Sequence, residues 1–157
     1  MRAARSVTRA PLLTAPIDTV VSATLAVESS GAGFVDLTAE IKRFVEDACA
    51  VEGLVTLFSR HTSASLTIQE NADPSVLDDL MTALDRLAPQ DAGWTHDTEG
   101  PDDMPAHIKS MLTATTLQVP VSKGKLALGT WQAIYLVEHR TRPHRREIVL
   151  QFTGATR

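Results

Sequence analysis

Apolar and polar residues alternate between Ile17 and Glu28, with Val21, Ala23, Leu25 and Val27 on one face. A two-residue period predicts a half-buried strand. Ser29-Ser-Gly-Ala-Gly33 follows as a turn, and Phe34 to Leu37 as a short strand. The period then lengthens. Ile41, Phe44, Val45 and Ala48 recur at helical spacing behind Thr38, a good N-cap, so an amphipathic helix is expected over about 38–50, closed by Gly53. Leu54 to Phe58 and Ser65 to Glu70 return to strand character, with Leu66 and Ile68 set against Ser65, Thr67 and Gln69. Asp73-Pro74 starts a second helix, with an acceptor side chain at the N-cap and proline at the first helical position. Val76, Leu77, Leu80, Met81, Leu84 and Leu87 give that helix one apolar stripe, ending near Pro89. A polar loop separates it from a short helix beginning near Pro105. From Leu117 onward the pattern is all strand: Val119–Val121 and Leu126–Leu128 flank a Lys123-Gly124 turn, and Trp131–Glu138 is expected to pair with Glu147–Phe152 across a basic connection.

The resulting order, β-β-α-β-β-α-(loop)-α-β-β-β-β, lacks a regular βαβ alternation. It predicts an α+β fold with a large mixed, mainly antiparallel sheet packed against two or three helices. Residues 1–15 hold several arginines and a proline-broken apolar run, and read as a flexible N-terminal tail; 16–157 reads as a single domain. No nucleotide-binding glycine pattern is present.

Composition narrows the field. The 157 residues carry a net charge of −4, which disfavours a nucleic-acid binder. No apolar run approaches the about 20 residues of a membrane span, so no membrane partner is expected. Cys49 is the single cysteine, which rules out an internal disulfide framework and suits a reducing cytoplasm. Its place on the apolar side of the first helix reads as that of a small buried hydrophobe.

Candidate chemistry concentrates where the pattern breaks down. Trp94 to His107 holds His96, Asp97, Glu99, Asp102, Asp103 and His107 with almost nothing apolar to bury. Imidazoles beside carboxylates are what a divalent metal or a general acid–base reaction needs. Asp102 and Asp103 read as helix-start and surface acids. Ser59-Arg-His-Thr-Ser-Ala64, a tight connection between two strands, places His61 at a strand end, where sheet hydrogen bonds hold a ligand rigidly. Leu128-Gly-Thr-Trp-Gln132 and the basic stretch from His139 to Arg146 form a third polar region.

Several of these segments together resemble the YjbQ-like family, often labelled secondary thiamine-phosphate synthase enzymes. The matching residues are His61-Thr-Ser-Ala-Ser-Leu-Thr-Ile-Gln-Glu-Asn71 with Asp73-Pro74, His96-Asp97, Ala106-His107-Ile108-Lys109, Leu126-Ala-Leu-Gly-Thr-Trp-Gln132, and Arg145-Arg146. The resemblance runs from about residue 15 to the C-terminus. It implies an α+β domain assembled as a homotrimer, with His61, His96 and His107 clustered near a subunit boundary around a divalent metal, zinc first.

Three functional readings follow from it. The family label implies weak thiamine-phosphate synthase activity, coupling a pyrimidine-methyl diphosphate to a thiazole phosphate with release of pyrophosphate. Such chemistry needs charge stabilisation by magnesium and by arginine or lysine. On this reading Asp97, Glu99 and Arg145 are catalytic, while Arg60, Asn71, Lys109, Trp131 and Gln132 bind the small-molecule substrate. Neutral imidazoles suit zinc better than magnesium. That opens a second reading, a metal-dependent hydrolase or lyase with Glu99 or Asp97 as proton acceptor. The third is a non-enzymatic metal- or ligand-binding trimer whose loop seals an intersubunit site.

Overall fold

The computed structural model describes residues 6–157. Of the tail expected over 1–15, residues 1–5 lie outside the described residues. Residues 6–18 carry no helix or strand and are nearly all exposed. Next come β1 (Thr19–Ser29), β2 (Gly33–Asp36), α1 (Thr38–Asp47), β3 (Ala50–Ser59), β4 (Ala64–Glu70), α2 (Pro74–Leu87), α3 (Asp103–Leu112), β5 (Thr116–Ser122), β6 (Lys125–Leu126), β7 (Gln132–Glu138) and β8 (His144–Thr156). This is an α+β fold in which every strand pair is antiparallel. The strands divide between a five-stranded sheet, β1-β8-β3-β5-β6, and a three-stranded sheet, β2-β7-β4.

The hairpin expected between Trp131–Glu138 and Glu147–Phe152 does not form. β7 pairs with β2 and β4, whereas β8 pairs with β1 and β3 in the other sheet. The cause is visible in β7, where Ala133 to Glu138 are all buried without alternation. A strand apolar on both faces belongs at the centre of a covered sheet. β8 instead alternates, turning Arg146, Ile148, Leu150 and Phe152 inward and Arg145 and Gln151 outward.

Leu57, Leu66, Ile134, Leu136, Ile148 and Phe152 fill the interior almost without exposure, joined by Ile41 and Val45 of α1. Each such side chain contributes about 1.5–3 kcal/mol relative to remaining in water. Thr38 does not cap α1. Leu37 holds that position, and the Thr38 hydroxyl accepts from the Ile134 N–H at 2.9 Å, tying the helix start to β7. Nor does Gly53 close the helix. It lies inside β3 opposite Gly154, where an added Cβ would stand 2.3 Å from the Thr153 carbonyl oxygen, so glycine lets β3 and β8 approach. The chain leaves α1 earlier, through Cys49 at φ 51°. Cys49 therefore falls outside the helical stripe, and its thiol is exposed rather than buried. α2 starts as expected, with Asp73 accepting from the Ser75 N–H at 2.9 Å, but none of its residues is fully buried.

Glu138 closes β7 with no exposure, against Arg146 of β8 at 5 %. Its carboxylate accepts from Arg146 Nε at 2.7 Å and Nη2 at 2.6 Å, from the Ser29 hydroxyl at 2.8 Å and from the Arg140 N–H at 3.0 Å. Burial alone would raise its pKa, but the bonds from Arg146, Arg140 and Ser29 outweigh it and hold the carboxyl below the ordinary range. Removing one partner strands the other charge. Glu138→Ala or Arg146→Met is expected to cost about 3–5 kcal/mol in urea unfolding, and Glu138→Leu combined with Arg146→Met to recover most of it. A single-variant loss below about 1 kcal/mol would show that the pair is not the tie described.

Candidate metal centre

Asp103 and His107 stand four residues apart on α3 and therefore on one face of the helix. The loop after α2 brings His96 to the same face. Asp103 Oδ2 lies 2.7 Å from His96 Nε2 and 3.4 Å from His107 Nε2, with the two rings 5.6 Å apart. His107 Nδ1 donates to the Thr62 carbonyl oxygen at 3.1 Å, which in a neutral ring places the free lone pair on Nε2, facing the Asp103 carboxylate. A tetrahedral site with bonds of about 2.1 Å holds its ligand atoms roughly 3.4 Å apart, the spacing found between Asp103 and His107. Among the described residues, His96, Asp103 and His107 offer ligand atoms all within 4.8 Å of one another. His96 Nε2 and Asp103 Oδ2 stand at hydrogen-bond distance, so this pair would have to part for both to ligate one ion. Two imidazoles and a carboxylate are nonetheless donor types that suit a zinc-like divalent ion.

Asp102 and Asp103 are not surface acids, at 8 % and 2 % exposure. Arg140, at the start of the turn after β7, explains their burial. Its Nη1 donates to Asp103 Oδ1, its Nε to Asp102 Oδ2 at 3.0 Å and its Nη2 to the Glu99 carbonyl oxygen at 2.8 Å. Burial opposes ionisation of Asp102, yet the Thr141 N–H and the Arg140 guanidinium outweigh it and take the carboxyl to about 2. A cavity of about 420 Å³ opens beside His96, with Trp94, Asp91 and Asp97 on its wall. A second, of about 490 Å³, carries Glu99, Arg140 and Arg142, and the Gly100-Pro101 ridge lines both.

The other expected site residues lie elsewhere. His61 stands outside the cluster, its Nε2 accepting from the Glu147 N–H at 2.7 Å, and burial lowers its pKa. Arg60 meets Glu147 at 3.2 Å and Arg145 meets Glu28 at 3.1 Å, both at the surface. Lys109 is buried on α3 against Asp85 of α2. Asn71, Trp131 and Gln132 sit where β4 and β7 pair Glu70 with Gln132. That is the opposite end of β7 from His139 and Arg140, about 20 Å along the strand. Gln132 there accepts from its own turn, at the Gly129 N–H, and Trp131 is 63 % exposed. Arg140 and Asp103 were missed as a pair because nothing in linear spacing joins a helix start to a turn 37 residues away.

Residues 23–155 match the model of the UPF0047 protein YjbQ-like family. The chain is 47 % identical over 131 residues to a UPF0047 protein of Synechocystis sp., covering 83 % of this chain and 89 % of that one. It is 43 % identical to the UPF0047 protein YjbQ of Escherichia coli O157:H7, covering 83 % and 96 %. A crystal structure of an uncharacterized conserved protein of the YjbQ/UPF0047 family from Clostridium acetobutylicum superposes with a TM-score of 0.75 at 35 % identity, over 84 % of this chain and 98 % of that one. The chain belongs to the YjbQ-like family.

Behind α3, His139 is 2 % exposed; its Nε2 meets the Ser65 hydroxyl at 2.8 Å, and its Nδ1 is buried without a partner. Burial first, and the Lys109 charge second, push this imidazole down to about 4. The unfolded chain takes up the same proton near 6.5. The stability this group contributes is therefore complete above about pH 6.5 and is lost as pH falls towards 4, by up to roughly 3 kcal/mol. His61 adds to the slope in the same direction. His139→Gln should flatten the fall in urea-unfolding free energy between pH 7 and 4; a slope equal to the parent's would contradict the assignment.

Proposed function

We propose that this member of the YjbQ-like family binds one zinc-like divalent ion through His96, Asp103 and His107 and hydrolyses, or eliminates from, a small molecule. The convergence of two imidazole nitrogens on one carboxylate oxygen carries this reading. Three protein ligands with a position left open are the pattern of catalytic zinc, whereas structural sites close with four. The ion, when bound, supplies Lewis acidity toward water or a substrate oxygen. The cavity beside His96 receives the substrate. Trp94 gives that cavity a fixed flat wall, because its indole N–H is tied to the Pro89 carbonyl oxygen at 2.8 Å. Asp97, exposed on the same wall, is the proton acceptor; Glu99 lines the other cavity.

Thiamine-phosphate synthase chemistry finds less support. Among the described residues no lysine or arginine lines the cavity beside His96, and Arg60, Lys109 and Arg145 each face a carboxylate partner. A single carboxylate among imidazoles also suits zinc rather than magnesium. The homotrimer implied by the family would cover apolar side chains that the single chain leaves 47–78 % exposed, Val20, Phe58, Leu87, Met111 and Leu112 among them.

Protein purified without added metal is expected to carry about one zinc per chain by elemental analysis. Asp103→Ala and His107→Ala should lose it, and His61→Ala should keep it. Loss in His61→Ala with retention in Asp103→Ala would restore the three-histidine set. Zinc-dependent hydrolysis of p-nitrophenyl acetate should fall about 100-fold in Asp97→Asn, with metal content unchanged; metal binding without turnover of this or any ester would favour a non-enzymatic role. Equilibrium sedimentation should give the mass of three chains, and a monomer would sink the assembly.

A further inference from the structure

We infer that Arg140 determines how Asp103 meets the metal, an inference that rests on the metal-site reading above. The two oxygens of Asp103 have different partners: Oδ1 accepts from Arg140 Nη1, and Oδ2 faces both imidazoles. A carboxylate with one oxygen held by a guanidinium is a one-oxygen ligand. Chelation through both oxygens would break a charge-assisted bond inside a buried cluster. The described residues thus offer three donor atoms at this site. That set suits a four-coordinate ion and disfavours calcium, which seeks six to eight oxygens and readily takes carboxylates two-handed.

Arg140 is itself held from several directions. Its backbone N–H is on Glu138, its Nε on Asp102 and its Nη2 on the Glu99 carbonyl oxygen. Asp102 Oδ2 accepts in addition from the Thr141 N–H at 2.9 Å and the Thr141 hydroxyl at 3.1 Å. With 16 % side-chain exposure, the guanidinium has no free rotation away from Asp103. Arg140 offers no ligand atom to the ion, so it is a positioning residue. Its planar fork is what the arrangement requires, because a lysine ammonium is a point charge without the fixed two-acid geometry.

The test compares wild type, Arg140→Lys and Arg140→Gln by zinc competition against a chromophoric chelator and by visible absorption of the Co(II)-loaded proteins. Wild type should bind zinc tightly and show the intense absorption of four-coordinate Co(II). Both variants should lose about 10- to 100-fold in zinc affinity and shift to the weak absorption of five- or six-coordinate Co(II). An Arg140→Lys protein with wild-type affinity and spectrum overturns the inference, even if Arg140→Gln fails to fold by circular dichroism. A merely structural role would lower the melting temperature without changing the Co(II) spectrum, which also overturns it. If wild type takes up neither ion, the metal-site reading itself fails; tight wild-type binding with unchanged variants removes only the role of Arg140.

Discussion

Glu138 stands at the end of the central strand of the small sheet, with no exposure, and its carboxylate is ringed by donors from Arg146, Ser29 and Arg140. A buried charge persists only where such donors replace the lost water. Arg146 belongs to β8 and Ser29 ends β1, both in the large sheet, so the pair fixes where the two sheets meet. Aliphatic packing between them is non-directional and tolerates sliding. Hydrogen bonds of 2.6–2.8 Å do not.

Both arms of the candidate site lead back to this pair. On one side, the Arg140 N–H binds Glu138, and the Arg140 guanidinium then reaches Asp103. On the other, Arg146 Nη2 donates to the carbonyl and hydroxyl oxygens of Ser63, next to Thr62, whose carbonyl sets the tautomer of His107. Two candidate ligands carried by one helix are thus oriented by strand ends from both sheets. A site that must hold an ion to within about half an ångström benefits from such support on rigid elements.

Most of the fold can be read from periodicity: the amphipathic α1, the Asp73-Pro74 start of α2 and the alternating β1, β4 and β8 all announce themselves locally. The partner of β7 does not, because pairing depends on which strand needs cover on both faces. The candidate site divides along the same line. His96 and His107 stand out as polar residues in a segment with nothing to bury. Asp103 looks like an ordinary helix-start acid until Arg140 arrives from the far side of β5, β6 and β7 to bury it. His61 stands out equally in the sequence, yet its Nε2 is used by the Glu147 N–H. Linear patterning identifies groups able to ligate; only the fold shows which lone pairs remain free.

The three candidate ligands are unequally held, and the inequality follows from α2. Asp103 is 3 % exposed at its side chain and His107 33 %, while His96 is 43 % exposed and rides on the loop that leaves α2. α2 buries no residue fully, and Lys109–Asp85 is its ion pair with α3. That pair joins a buried ammonium to a carboxylate that is 67 % exposed. The position of His96 therefore depends on how firmly α2, half-buried along its apolar stripe, is held. Val76, Leu77, Leu80, Met81 and Leu84 of that helix are half-buried and Leu87 is 65 % exposed, and ordering the loop beyond it costs conformational entropy that binding of the proposed ion would have to offset. In the proposed trimer, covering Leu87 at the end of α2 would restrain the helix and the loop before the ion arrives, which raises affinity without adding a ligand. Assembly and metal binding would then favour each other by the same factor, as linkage requires.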